Sequence, residues 1–186
     1  MDQSSWRPEL RLLISAEQIQ ARVAEMGRQI AADYPDGSLR LIAILKGACF
    51  FLSDLARVIG RDVSLDFMGI ASYGRGKSSS GEVKVTKDLD GEIAGLDVLV
   101  VEDIVDTGIT LTYLCRILKQ RKPKSLRIAT LLDKPSRRLK PVDVAYTGFQ
   151  IPDEFVVGYG LDYDEKYRNL ADICVLLEGP TEDTPR

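Results

Sequence analysis

Ile19, Val23, Met26 and Ile30 recur at intervals of three and four, the spacing that lines one face of an α-helix. Ser15 precedes them with Gln18 three residues on, the S-x-x-Q arrangement of a capping box, so the pattern predicts an amphipathic helix over Ala16–Asp33. Leu39–Leu45, LRLIAIL, is short and mostly apolar, as a strand covered on both faces is. Lys46-Gly47 interrupts that run, and helical spacing resumes over residues 48–59. Strand, tight loop and helix return with an apolar run at 98–101 and a helix over 110–121, and 126–132 supplies another buried strand. Strands alternating with helices imply an α/β fold, a parallel twisted sheet flanked by helices.

After Val63–Ser72 comes YGRGKSSSGEVKVTKDLDGEIAG, rich in Gly, Ser and charge. A stretch of this composition buries itself poorly, so residues 72–95 are read as a flexible lid hairpin. The final GPTEDTPR reads as a frayed tail. With no repeat or separate linker, the 186 residues are expected to form one domain.

Composition narrows the chemistry. A hydrophobic share of 45% with 28% charged residues fits a soluble globular chain. No stretch approaches the roughly 20 apolar residues a bilayer span requires, and the first residues lack the features of a signal peptide, so a cytoplasmic address is expected. Cys49, Cys115 and Cys174 are dispersed among apolar neighbours and read as reduced, buried thiols. The chain has no histidine, which excludes Ser-His and Cys-His nucleophile pairs and imidazole metal clusters. Acid–base work then falls to carboxylates, lysines or tyrosines. The net charge of −3 and pI near 5.1 argue against broad nucleic-acid binding, which needs a basic face to displace counterions. A small magnesium-bearing ligand suits the balance better.

ASYGRGKS, residues 71–78, comes close to the phosphate-loop pattern G-x-x-x-x-G-K-[ST], with Ala71 in place of its first glycine. That loop works because a helix begins directly after its Lys-Ser and turns free N–H groups toward the anion. Here Ser79-Ser80-Gly81 follows, and then Glu82-Val83-Lys84-Val85-Thr86 alternates like a strand. The context for an NTPase is missing.

VLVVEDIVDTGITL, residues 98–111, carries more. Its apolar start predicts a central parallel strand, so Glu102 onward emerges at the carboxyl edge, where open α/β sheets hold ligands. Thr107, Gly108, Ile109 and Thr110 then open a helix, with Asp106 or Thr107 expected as its N-cap. Free backbone N–H groups and the two threonine hydroxyls make a donor array for a monophosphate, and Gly108 allows close approach. Three carboxylates beside it would repel a polyphosphate. At about 4 Å and an effective dielectric near 20, each like-charge pair costs roughly 4 kcal/mol. Sugar hydroxyls donating to Glu102 and Asp103, with Mg²⁺ neutralising the remainder, would offset this. A phosphorylated ribose fits the whole stretch.

The segment VVEDIVDTGIT closely resembles the phosphoribosyl pyrophosphate motif of type I phosphoribosyltransferases, and its E-D-I-x-D-T-G form is similar to the hypoxanthine-guanine branch. The resemblance continues through LKGACFF (45–51), SYG (72–74), LLDK (131–134) and IPDEFVVGYGLDYDEKYRNL (151–170). It implies a parallel-sheet core with a small hood built from the terminal segments. It also implies transfer of phosphoribose to a 6-oxopurine, with Mg²⁺ as cofactor, phosphoribosyl pyrophosphate and a purine base as partners, and a homodimer or homotetramer. A regulator that kept the fold without turnover is the rival reading from another class.

Site roles follow from the same resemblance. Glu102 and Asp103 would hold the ribose diol and magnesium, Asp106 would take the proton from purine N7, and Thr107, Gly108, Ile109 and Thr110 would cradle the phosphate. Lys134 would donate to purine O6, Phe155 would stack on the base, and Val156 would offer backbone groups to its edge. Asp162 would position the magnesium of the leaving pyrophosphate. Lys46, Gly47 and Arg168 would bind that pyrophosphate, and in relatives the bond matching Leu45–Lys46 is commonly cis. Ser72 and Tyr73 would begin the lid.

Overall fold

A computed structural model describes residues 10–36, 38–72 and 83–177. Its main sheet has six strands in the order β4-β3-β2-β5-β6-β7: β2 Leu39–Leu45, β3 Val63–Ser72, β4 Val83–Lys87, β5 Asp97–Val105, β6 Ser125–Asp133 and β7 Tyr146–Gln150. β2, β3, β5, β6 and β7 are parallel, and β4 runs antiparallel at the edge beside β3. Three helices complete the core: α1 Ala16–Asp33, α2 Cys49–Val58 and α3 Ile109–Gln120. The expected parallel sheet flanked by helices is therefore present.

Alternation along each strand assigns the two faces. Leu39, Leu41, Ala43, Leu99, Val101, Ala129 and Leu131 share one core with Ile19, Val23, Met26 and Ile30 of α1 and with Phe51, Leu52 and Leu55 of α2. Ile42, Ile44, Val98, Val100 and Ile128 point the other way and pack with Leu111, Leu114 and Leu118 of α3. Because successive strand side chains oppose each other, near-continuous apolar runs supply both faces at once. At the start of α1 the capping box forms as expected: Gln18 N donates to Ser15 Oγ, and Ser15 N donates to Gln18 Oε1.

Three short strands make a second sheet in the order β1-β9-β8, with β1 Leu10–Ile14, β8 Val156–Val157 and β9 Ile173–Leu176 all antiparallel. It joins the two ends of the described chain. Ile14, Val156, Ile173 and Val175 enter the α1/α2 core, which seats this sheet over the large one.

Three expectations are corrected. β5 does not stop at Val101 but runs to Val105, because Glu102, Ile104 and Val105 pair with Thr130, Leu132 and Asp133 of β6. Glu102 and Asp103 are thus strand residues. The N-cap of α3 is Gly108, not Asp106 or Thr107: φ is +78°, a left-handed conformation that glycine adopts without penalty, and a side chain there would strike Lys140 O and Val142. Of the cysteines, all free, Cys174 is buried, whereas Cys49 and Cys115 are only half-buried. Residues 73–82 of the expected lid, most of the ASYGRGKS stretch and the terminal GPTEDTPR lie outside the described residues. The segment beyond them does form β4, as its alternation predicted.

Candidate active site

The chain leaves β2, builds β3 and β4 on one side, then crosses to place β5 on the other. The direction of winding therefore reverses between β2 and β5, and side by side at the carboxyl ends of such a pair lies the crevice where doubly wound sheets bind ligands. The loop after β2 delivers Lys46 and Gly47 there, and the loop after β5 delivers Asp106, Thr107 and Gly108. Lys134 follows directly after β6, with its backbone N–H bonded to Val105 O at 3.0 Å. Ser72 ends β3 at the same edge, and Tyr73 lies outside the described residues.

Glycine makes this crowding possible. The peptide Leu45–Lys46 is cis, and the Cβ position of Gly47 coincides with the Asp103 carboxylate. Gly160, at φ +102°, meets Gly47 O in the same way. The two acids of β5 differ in their donors. Glu102 Oε2 is buried with no hydrogen-bond partner, and burial, with the Asp103 charge adding to it, pushes its carboxyl well above the usual range. Burial also lifts Asp103 to about 6, against hydrogen bonds from the Ile104 and Asp103 backbone and the charge of Arg168, while Asp162 pushes it further up. Ile104 N to Asp103 Oδ1 measures 2.9 Å.

On the far side, Arg168 donates to Gly160 O at 2.8 Å and pairs with Asp162 at 2.9 Å, leaving its buried Nε without a partner. Asp162 also accepts from Glu165 N at 2.9 Å, and Glu165 pairs with exposed Lys46 at 3.0 Å. Phe155 meets Tyr163 edge to face, ring centroids 5.7 Å apart, and Val156 begins β8. Lys134 is only 6% exposed. Its ammonium donates to Glu154 O at 2.7 Å and lies 3.9 Å from Asp153. Among the described residues no group of three or more His, Cys, Asp or Glu side chains makes a metal cage. Mg²⁺ rarely needs one, since it is usually held by one or two carboxylates together with substrate phosphates and waters.

A strap over residues 133–140 was missed in the sequence. Leu139 N and Lys140 N both donate to Thr107 O, Arg138 donates to Asp106 O at 2.9 Å and pairs with Asp133, and Arg137 Nε donates to Asp106 Oδ1 at 3.0 Å. The only available signal was the arginine doublet just after Lys134. Ile109 is exposed and Thr110 half-buried at the start of α3. A separate cavity of about 690 Å³, lined by residues that include Leu111, Cys115, Arg116 and Val142, lies along α3 and contains none of the candidate residues.

A doubly wound sheet with acids and a glycine-capped helix start at its switch point defines the class of α/β proteins that bind an anionic ligand in this crevice. The chain belongs to the phosphoribosyl transferase domain family, which its residues 15–164 match. It is 54% identical over 171 residues to the hypoxanthine-guanine phosphoribosyltransferase of Mycobacterium avium, covering 89% of this chain and 84% of that one. Against the enzyme of the same name from Bacillus subtilis the identity is 49% over 166 residues, covering 89% and 92%. A crystal structure of a hypoxanthine phosphoribosyltransferase from Staphylococcus aureus superposes with a TM-score of 0.90 at 46% identity, covering 95% of this chain and 96% of that one.

Proposed function

We propose that this chain transfers the 5-phosphoribosyl group of phosphoribosyl pyrophosphate to a 6-oxopurine, hypoxanthine or guanine, releasing pyrophosphate. The observation that carries this reading is the buried, unpartnered Glu102 Oε2, next to Asp103 and close to the α3 helix start. A ribose hydroxyl would give Glu102 Oε2 the hydrogen bond it lacks, and a second would add to those Asp103 receives from the backbone; a buried acceptor without a donor costs about 1–3 kcal/mol. The N–H groups that open α3, where Ile109 N makes only a long 3.4 Å bond to Thr107 Oγ1, would bind the 5-phosphate together with Thr107 and Thr110. Lys46, Gly47 and Arg168 hold the pyrophosphate.

The transition state places positive charge on the sugar, and the acids of β5 would stabilise it. Asp106 accepts the N7 proton as the base attacks. Lys134, a donor only, favours the O6 carbonyl over an amino group. Phe155 stacks on the ring and Val156 presents backbone groups to its edge. Glu102, Asp103 and Asp162 are the carboxylates that would hold Mg²⁺, one or two of them at a time together with substrate phosphates and waters, since no three side chains among the described residues form a cage. When bound, the ion would lend charge to the departing pyrophosphate. Ser72 and Tyr73 would begin the lid, and the chain would act as one domain with the β1-β9-β8 sheet as hood. A homodimer or homotetramer in the cytoplasm completes the reading; no helix among the described residues is long and apolar enough to cross a membrane.

A spectrophotometric assay with hypoxanthine, guanine, xanthine and adenine tests it. Nucleotide formation from hypoxanthine or guanine is the expected result. Binding of phosphoribosyl pyrophosphate without turnover on any base would instead identify a regulator.

A further inference from the structure

We infer that Arg137 is a positioning residue for Asp106, tying the proton acceptor to the purine side of the pocket; this rests on the role of Asp106 given above. Arg137 closes a 3-10 turn, Pro135–Arg137, whose last N–H donates to Lys134 O at 3.1 Å. From there its Nε reaches Asp106 Oδ1 at 3.0 Å and its Nη1 reaches Asp153 Oδ2 at 3.4 Å. Asp153 in turn lies 3.9 Å from Lys134 Nζ. One guanidinium and one carboxylate thus connect the group that reads N7 with the group that reads O6.

The two neighbouring arginines divide the work. Arg138 holds the Asp106 backbone through its carbonyl, and Arg137 holds the carboxylate through one oxygen. Arg137 Nε occupies Asp106 Oδ1, which assigns the proton to the other oxygen, Oδ2. Magnitude separates this role from a structural one. The side chains of Arg137 and Asp106 are 36% and 28% exposed, and pairs so wetted contribute little to folding. A carboxylate on a short loop has two free torsions, and fixing them matters to a reaction that needs one oxygen aimed at one proton.

Kinetics of Arg137→Gln and Arg137→Lys, each in the wild-type and Asp106→Asn backgrounds, test the inference, with melting temperatures alongside. In Arg137→Gln we expect kcat to fall about tenfold, the effect of one charge-assisted hydrogen bond in a partly wet site, with KM for phosphoribosyl pyrophosphate and the melting temperature unchanged. Arg137→Lys should recover most of the loss. Added to Asp106→Asn, Arg137→Gln should cost nothing further, because the residue it positions is already disabled. The inference is overturned by wild-type kcat in Arg137→Gln, by a rise in KM alone, or by a full multiplicative loss in the double variant; in each case an impaired Asp106→Asn leaves the proposed function standing. Wild-type kcat in Asp106→Asn would remove the inference together with the proton-accepting role of Asp106, and leave the transferase activity standing.

Discussion

The Cβ that Gly47 lacks would occupy the place of the Asp103 carboxylate. Gly160 abuts Gly47 O on the opposite side, so the loop after β2 is clamped between the end of β5 and the loop after β8. Gly47→Ala has no room unless the buried acid swings away. We expect it to cost about 1–3 kcal/mol of stability, as overpacking does, and to raise KM for phosphoribosyl pyrophosphate. Urea denaturation and initial rates measure both; an alanine variant indistinguishable from wild type would dismiss the clamp.

Asp103 makes stability depend on pH in an identifiable direction. Its folded-state value of about 6 exceeds the ordinary 3.8, so between those values the native chain binds more protons than the unfolded one. The stability this contributes is full below the unfolded value and is lost as pH rises through about 6. Asp103→Asn should therefore be more stable than wild type by about 1–3 kcal/mol above that pH, with the difference vanishing near pH 4, while binding of phosphoribosyl pyrophosphate is lost. A denaturation series from pH 4 to pH 8, on a scale of about one proton per site, shows whether the gap opens in that window. A constant gap would mean that the charge is not its cause.

For Asp106→Asn, the expected loss of kcat is about 10²- to 10⁴-fold, the range of general-base contributions, with the melting temperature retained. The α3 start explains the tolerance: Gly108, not Asp106, is its cap. Steady-state rates with hypoxanthine give the answer, and unchanged turnover would strip Asp106 of its role.

The sheet and its three helices were legible because near-continuous apolar runs mark buried parallel strands and helical spacing marks α1. The strands β1, β8 and β9 were less so, since two to five residues carry little periodicity and pair only across distant parts of the chain. Candidate site residues stand out where a contiguous segment carries them, as from Glu102 to Thr110. The Arg137–Asp106 and Gly47–Asp103 contacts do not, because separations of 31 and 56 positions leave no local pattern. Gly108 was read as permitting close approach; that it caps the helix depended on Lys140 and Val142 folding over it.

Lys134 is held by Glu154 O at 2.7 Å, so its ammonium is already fixed among acceptors before a base arrives. Lys134→Gln replaces a donor-only group with one that can also accept. The ratio of kcat/KM for hypoxanthine over adenine should fall, by about tenfold for one hydrogen bond to a neutral partner with its desolvation. Competition assays with the two bases decide it, and an unaltered ratio would contradict the assignment.

Titration calorimetry of phosphoribosyl pyrophosphate into the protein, with and without Mg²⁺, tests the central proposal that Glu102, Asp103, Asp106 and Asp162 accept a polyanion because a dication and sugar hydroxyls come with it. We expect saturable binding with the ion and affinity weaker by at least about tenfold without it, since even one unrelieved charge pair exceeds the 1.4 kcal/mol that tenfold represents. Equal affinity in its absence, or no heat of binding in its presence, would contradict the account.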